Sequence, residues 1–521
     1  MLALEAYGIT PDAVLPAFAE AAQFAVPLRL ATAAYHSDTA DIPASTAWPP
    51  RIVGPVELSQ DVVSALGIGG AVALTAAEIV VHDGDGWAAD LARYSTADGR
   101  AAEIRVVPVV NARASDFGTP LRNTIMAWRG TTRRVERLTG RRARISLDDQ
   151  TGRLSALLQP NRYTGGGGLT GPVGLADRPL PVCIGTAFNV TPVDLGLINL
   201  GDGLMPTYQT HWRAIRGHTA ARIRGVDQVK VLVAPTLAQW RDWPALGIFQ
   251  LGSTPDGAVT CDVQGDADGA PETIPAVLWH MMTVLGPQYV EADRDSVSWQ
   301  FAEADLPGAI GFYQPAQNVT AMEAVTRVLV SCGAVLAGDR AGALRLFDPF
   351  ATSDVLQFDI DASGVVAEPE PVTLPDALSP APREVRVEWG LNYTPLSDVG
   401  TAASAALRQR LGDAAAPSAS YESAVVTQRV AAQRTLRFPG LYTNETDAAA
   451  RALVIGEWLE GGARAVRFTI DRYLDVLNLG DYGRVTYPGY GLETGLSGVV
   501  VGMSYAPDRR RIAVTLVGTG G

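Results

Sequence analysis

Two stretches near opposite ends of this chain share one order: strand, loop, strand, arginine turn, strand. In the late copy, residues 479–487 open on Leu479-Gly480-Asp481, residues 497–505 form the second strand, and Arg509, Arg510 and Arg511 lead into a strand over 512–516. In the early copy, Gly99-Arg100 leads into residues 104–107, residues 123–128 form the second strand, and Arg141 and Arg142 lead into a strand over 144–148. Two small β-barrels of one design in a single chain can act as two units of a ring. The duplication therefore points to assembly rather than to chemistry.

The bulk properties agree with that direction. A chain of 521 residues predicts roughly three or four domains. Its 47% hydrophobic residues suffice for sizeable cores, and its 19% charged residues leave a surface suited to facing other proteins. The basic side chains are arginine with the single exception of Lys230, and arginine favours planar, multidentate interface contacts. A net charge of −13 argues against tight nucleic-acid binding, which depends on cations against phosphate, but suits a surface past which DNA slides. The N-terminus carries Glu5 and no basic segment, so no secretory signal is read there. The apolar stretch 65–81 is too short and too interrupted to span a bilayer. The expectation is a protein made in the cytoplasm, with no membrane span.

Strands dominate the rest of the pattern, with a few helices between them, and no βαβ series supports a doubly wound sheet. The expected fold class is mainly β with some α (α+β), multidomain, with two like β-barrels flanking a mixed middle region. Four divisions are expected: 1–160 with the first barrel, 161–270 rich in β, 271–375 with helices and a hairpin, and 376–521 with the second barrel. Residues 78–81 read as a short buried strand, and the glycines at 165–168 as a hinge or loop. Helices are expected over 274–285, over 320–332 behind a Thr320/Glu323 capping box, and over 445–460. A hairpin is expected over 334–347. Residues 365–382 are rich in proline and read as a connector, and residues 397–421 as a long loop.

The search for chemistry returns little. Five histidines, at 36, 82, 211, 218 and 280, show no metal-ligand spacing. Residues 83–86 hint at a calcium loop, but the twelfth position is Tyr94 where a bidentate glutamate is needed, so a tight turn is expected. No GxSxG elbow occurs, and a P-loop needs a lysine that only Lys230 could supply, within a strand. Cys183, Cys261 and Cys332 read as buried small hydrophobes. Trp240, Trp243 and Trp299 read as packing residues. No catalytic residue, cofactor or metal is assigned, and the chain is not expected to be an enzyme. Residues 122–153 concentrate arginine, including Arg129, Arg133, Arg134, Arg137, Arg141, Arg142 and Arg144. They fit a solvated loop or a set of contacts to acidic faces of neighbouring subunits; direct nucleic-acid binding is the weaker third reading.

A diffuse series of segments carries a family resemblance. It comprises residues 78–86 with Gly99-Arg100, residues 144–149, Tyr163-Thr164 with the glycines 165–168, and Arg178-Pro179-Leu180-Pro181. It continues with residues 185–192, Phe249-Gln250-Leu251-Gly252, residues 257–266 and the Leu479-Gly480-Asp481 barrel. In this order the chain resembles the central tail-hub, or baseplate-hub, proteins of long-tailed bacteriophages and gene transfer particles, over most of its length. The resemblance implies a structural virion protein at the tail tip, assembled in the host bacterial cytoplasm. It implies a homotrimer whose two tube-like barrels per subunit form a pseudo-sixfold ring. One face would dock on distal-tail or tail-tube proteins and the other on tip, spike or fibre proteins, next to the tape measure protein. The ring would surround a DNA exit channel lined by acidic or neutral groups. Arg129, Arg133, Arg134, Arg137, Arg141, Arg142, Arg509, Arg510 and Arg511 are the expected inter-subunit contacts. The chain ends soon after its second barrel, without the extra C-terminal receptor-binding modules of longer relatives. The competing expectations are a receptor-binding adhesin and a tail-associated cell-wall or capsule hydrolase.

Reversing charge in an Arg141→Glu/Arg142→Glu variant is expected to impair oligomer or tail assembly more than monomer folding. Sizing of the purified variant beside its thermal unfolding curve checks this.

Overall fold

The computed structural model describes residues 2–8, 26–54, 56–72, 76–86, 101–106, 120, 124–353, 355–431, 433–471, 477–505 and 511–520. Its largest sheet has thirteen strands, drawn from both ends of the chain. They are β1 (Leu2–Gly8), β2 (Val26–Leu30), β3 (Glu57–Asp61), β4 (Ala76–His82), β5 (Ala101–Val106), β6 (Ile125–Leu138) and β7 (Arg142–Asp148). They continue as β8 (Phe358–Ile360), β9 (Val365–Val372), β10 (Ala463–Asp471), β11 (Tyr482–Val485), β12 (Leu496–Tyr505) and β13 (Arg511–Gly520). The spatial order is β2-β1-β5-β6-β7-β4-β3-β12-β13-β10-β9, with β11 also on β12 and β8 on β11.

Within that sheet the duplication is visible as topology. The early module runs β4-β7-β6-β5 and the late one β10-β13-β12-β11, all antiparallel. In each, the first strand pairs with the fourth, the fourth with the third and the third with the second. The registers match in detail. Arg142 opens β7 opposite His82, the last residue of β4; Arg511 opens β13 opposite Asp471, the last residue of β10. The register of β6 on β7 slips at Arg133, and that of β12 on β13 slips at Val501. Counting from the slip, Ala101 sits on Thr131 as Tyr482 sits on Val499. The two modules do not stand apart as flanking barrels, however. They merge edge to edge through β3, which pairs with β4 on one side and β12 on the other.

Alternation explains which faces close the core. In β7 the pattern puts Ala143, Ile145 and Leu147 inside and the residues between them partly outside. In β4, Ile79 and Val81 are buried while Glu78 is exposed, so the strand is half buried rather than wholly so. One continuous apolar core contains Ile79, Trp128 and Ile145 from the early module, Val500, Val514 and Leu516 from the late one, and the helices between.

The middle of the chain fills in around this sheet. Two five-stranded sheets span residues within 182–314. Helices α1 (Ile274–Thr283) and α3 (Ala321–Cys332) match expectation, and the Thr320/Glu323 capping box forms in both directions. Gly333 ends α3 in the left-handed conformation, with φ of 73°, a position that favours glycine. Helix α2 (Ser296–Asp305) was not expected. The hairpin is present, as strands Val335–Gly338 and Leu344–Phe347. Two loop expectations fail. Residues 365–372 form β9 rather than a connector, because Val365, Ala367 and Val372 find backbone partners on β10. Residues 397–421 hold α4 (Ala405–Gly412) and part of strand Ser418–Glu422 rather than a long loop. Helix α5 (Ala424–Arg429) follows, and α6 (Glu445–Glu460) falls where expected. The glycines at 165–168 form a loop, closed by the Gly167 N–H donating to Gly171 O at 2.8 Å.

A buried ion pair clamps α6 to this middle region. Arg451 and Asp348 are 3% and 2% exposed, and the guanidinium donates to both carboxylate oxygens at 2.5 and 2.8 Å. Arg451 Nε also donates to the Cys332 carbonyl at the end of α3, at 2.7 Å. Truncating one partner leaves a buried charge uncompensated, so Arg451→Ala is expected to cost about 3–5 kcal/mol. Urea-induced unfolding of the variant against the parent checks the magnitude.

Candidate assembly interface

Among the described residues, the expected arginine contacts lie on strands, except Arg141, which lies in a turn. β6 carries Arg129, Arg133, Arg134 and Arg137, and the β6–β7 hairpin carries Arg141 and Arg142; all six are exposed. Arg129 Nε lies 3.5 Å from Glu103, and Arg134 is 2.6 Å from Glu136. Arg144 lies between Glu78 and Glu136, at 3.2 and 3.9 Å. Arg133 takes the slip position and faces Asp148, a carboxyl that burial raises and Arg133 lowers, with a net rise. Arg137, Arg141, Arg142 and Arg511 form no ion pair among the described residues. Arg141 adopts φ of 57° in the turn. Arg509 and Arg510 lie outside the described residues. The structure thus gathers Arg133–Arg142 at one edge of the early module and places Arg511 at the matching position of the late module.

The same edge of the two modules has two different fates. β6 pairs with β5 through residues 125–131 and with β7 through 131–138, on opposite sides. Past Thr131, on the β5 side, no strand among the described residues pairs with Arg134–Leu138. The equivalent edge of β12 is covered, because Gly502, Met503, Ser504 and Tyr505 pair with Asp61, Gln60, Ser59 and Leu58 of β3. There Leu58, Met503 and Tyr505 are buried, and Tyr505 donates its hydroxyl to Ala127 O at 3.0 Å. Val62 N–H extends the seam to Val501 O at 2.8 Å. The residue in the place of Tyr505 on the open edge is Arg137, which is exposed.

Two clusters could have carried chemistry, and their central residues are buried. Thr210 Oγ1 lies 2.8 Å from His218 Nε2, and His218 Nδ1 lies 2.8 Å from Asp242, the order of nucleophile, base and orienting carboxylate. Thr210 and His218 are 0% and 1% exposed, and neither lines a cavity found among the described residues. Burial holds His218 below its ordinary value and therefore neutral. Lys230 Nζ adds a 2.7 Å contact to Asp242. In the second cluster, Asp266 receives Arg213 at 2.6 Å and His280 at 2.8 Å, with His211 at 3.4 Å. Burial alone would raise Asp266, but bonds from His211, His280 and Arg213 bring it well below the usual carboxylate range. Both are internal tethers between strands, or between a strand and α1. Sequence spacing could not reveal them, since the bonded members are 8 to 67 positions apart and follow no ligand or catalytic spacing.

The remaining expectations resolve as packing. Cys183, Cys261 and Cys332 are buried and unpaired with one another. Trp240 and Trp299 are buried, and Trp243 donates to Gln250. Residues 83–86 make a turn in which Asp85 pairs with Arg51 at 2.7 Å; Tyr94 lies outside the described residues. No helix among the described residues is long and apolar enough to cross a membrane. A cavity of about 100 Å³ is lined by Asp305, Arg345, Asp348 and Tyr482, well below the size that holds a typical ligand. An open groove of about 610 Å³ is lined by Arg224, Gln228, Asp256 and Asp398, with Arg224 paired to Asp398 at 2.8 Å.

No protein-family model matches the chain, and no curated protein matches it. Among solved structures it is similar to the 43 kDa tail protein of prophage MuSo2 from Shewanella oneidensis, with TM-score 0.36 and 8% identity, covering 91% of this chain and 96% of that one. It is similar to the tail protein from Neisseria meningitidis MC58, with TM-score 0.36 and 9% identity, over 89% and 91%. It is also similar to a chain of the virion of a native gene transfer agent particle, with TM-score 0.38 and 12% identity, over 66% and 84%. At these scores the alignments fix neither fold nor function, which rest on the geometry above.

Asp305 gives the cavity a pH dependence. Burial, with Asp348 nearby, raises its carboxyl to about 6 against the opposing pull of Arg451. A carboxyl raised on folding is favoured protonated, so its charge weakens the fold as pH rises from about 4 past 6. Asp305→Asn is therefore expected to stabilise the protein at pH 7.5, by roughly 1 kcal/mol after solvent screening, and to change nothing at pH 4. Thermal unfolding at the two pH values reads the difference.

Proposed function

We propose that this chain is a structural subunit of a phage-type tail, the central hub at its tip. The observation that carries this reading is the repeated four-strand module in one order, twice per chain, joined in a single sheet by β3. Three chains would supply six such modules, so a threefold object could sit on a sixfold cylinder. On this reading the subunits form a homotrimeric ring around the DNA exit channel. One face meets distal-tail or tail-tube proteins and the tape measure protein, and the other meets tip, spike or fibre proteins. The role is mechanical, and DNA passes through without being held, which fits the net charge of −13.

The sealed Thr210–His218–Asp242 array offers no support to the hydrolase alternative, because substrate has no described path to it. The adhesin alternative has no surface feature in its favour here. The expected outcome is a purified species of three chains of 55.0 kDa each, and a ring of six density lobes at the tail tip by electron microscopy of particles. A monomer at all concentrations, with measurable peptidoglycan cleavage, would refute the hub.

A further inference from the structure

We propose that a cavity between one five-stranded sheet and α4 binds a carboxylate carried on a short chain, with Arg410 as the charged contact. This stands apart from the ring reading, because every residue it uses lies within one chain.

Two bulges at one level build the floor. Strand Val259–Asp266 runs between strands Val182–Val190 and Ile215–Ile223. Its Val263 pairs with Ala187 on one side and with His218 on the other. One position away, at Asp262, both neighbours slip. Phe188 and Asn189 fill the gap on one side, and Thr219 is the extra residue on the other. Bulges of this kind re-aim side chains out of the regular pleat. Asn189 holds the left-handed conformation, with φ of 51°. Its N–H donates to Asp262 Oδ1 at 2.8 Å, and its side-chain amide donates to Asn392 Oδ1 at 2.7 Å. Asn392 Nδ2 lies 3.0 to 3.1 Å from the carbonyls of Arg410, Leu411 and Asp413. The end of α4 is thereby fixed beside the bulge.

The cavity left between these parts is about 160 Å³, and Thr186, Phe188, Thr219, Asp262 and Arg410 line it. The guanidinium carbon of Arg410 sits over the Phe188 ring, 3.9 Å from its centroid. Arg410 forms no ion pair among the described residues, and residues 355–431, which hold α4 and its flanks, are all described apart from the side chains left out above. Asp262 is already engaged, since Arg222 donates to both of its oxygens at 2.7 and 2.5 Å. Arg410 is therefore the charge left over. The hydroxyls of Thr186 and Thr219 add donors that bond no acceptor among the described residues. A guanidinium stacked on a ring keeps its N–H groups in a fixed fork, the geometry that a carboxylate matches with two bonds. The negative charge of Asp262 disfavours multiply charged anions, and the volume suits a side-chain-sized group rather than a large ligand. Two sources carry that chemistry: an acidic side chain of a neighbouring protein, and a small free acid.

The test uses the full-length chain and saturation-transfer NMR on the probe. Butyrate is expected to bind at millimolar concentration, and neutral butyramide is not. Arg410→Gln is expected to weaken butyrate binding about tenfold, the loss of one charge-assisted pair. Thr219→Val is expected to weaken it by a smaller factor, and Arg410→Lys to retain part of it. Arg410 and Thr219 are both exposed, so the thermal unfolding of the variants is expected to match the parent. A capped Gly-Glu-Gly peptide separates the sources. Peptide binding that depends on Arg410 assigns the cavity to an acidic side chain, and butyrate binding without it assigns a free acid. Failure of both probes to bind overturns the proposal, as does binding that Arg410→Gln leaves unchanged. The oligomeric state of the chain does not enter the result.

Discussion

An unpaired strand edge offers a row of free N–H and C=O groups, and a protein must cover it or make use of it. This chain has one four-strand module twice, and therefore the same edge twice. β3 covers it in the late module, where Tyr505 and Met503 are buried against the early one. In the early module, Val135 and Arg137 stand at the equivalent positions; Val135 is partly buried and Arg137 is exposed. A buried tyrosine in one place and an exposed arginine in the matching place are the chemical difference between an interior seam and a surface. The remaining architecture follows from holding those two modules in one sheet.

That holding falls to groups distant in sequence. Arg451 and Asp348 are 103 positions apart, and with Cys332 O they fix α6, the hairpin strand Leu344–Phe347 and the end of α3 as one body. Arg345 reaches Asp481 at 2.7 Å and ties the same hairpin to the chain entering β11. Buried charges of this kind contribute little net stability against apolar replacements, but they fix which elements meet. The Asp266 and Asp242 clusters do the same for the five-stranded sheets. Their hydrogen bonds hold neighbouring elements in place.

Short-range signals were readable where local chemistry decides the outcome. The Thr320/Glu323 box and the Gly333 stop frame α3, and α6 occupies the expected span. Reading failed where a distant partner decides. The prolines of residues 365–372 suggested a connector, yet an edge strand tolerates proline on its outward side, and β10 supplied the inward partners. The arginines were recognised by their density. Their division into paired and unpaired members depended on Glu103, Glu136 and Glu78, which reach them across the sheet.

The order of residues by itself determined that two segments share a strand pattern, that each closes on an arginine turn, and that cysteine and histidine are too sparse for a framework or a metal site of recognisable spacing. These are properties of spacing and composition, which do not depend on what folds against what. Tertiary structure alone decided that the two modules join through β3, and that β3 covers one edge of the late module. Strand pairing links backbone groups hundreds of positions apart. The backbone is the same at every residue, so the sequence marks which edges are suited to pairing but not which ones meet.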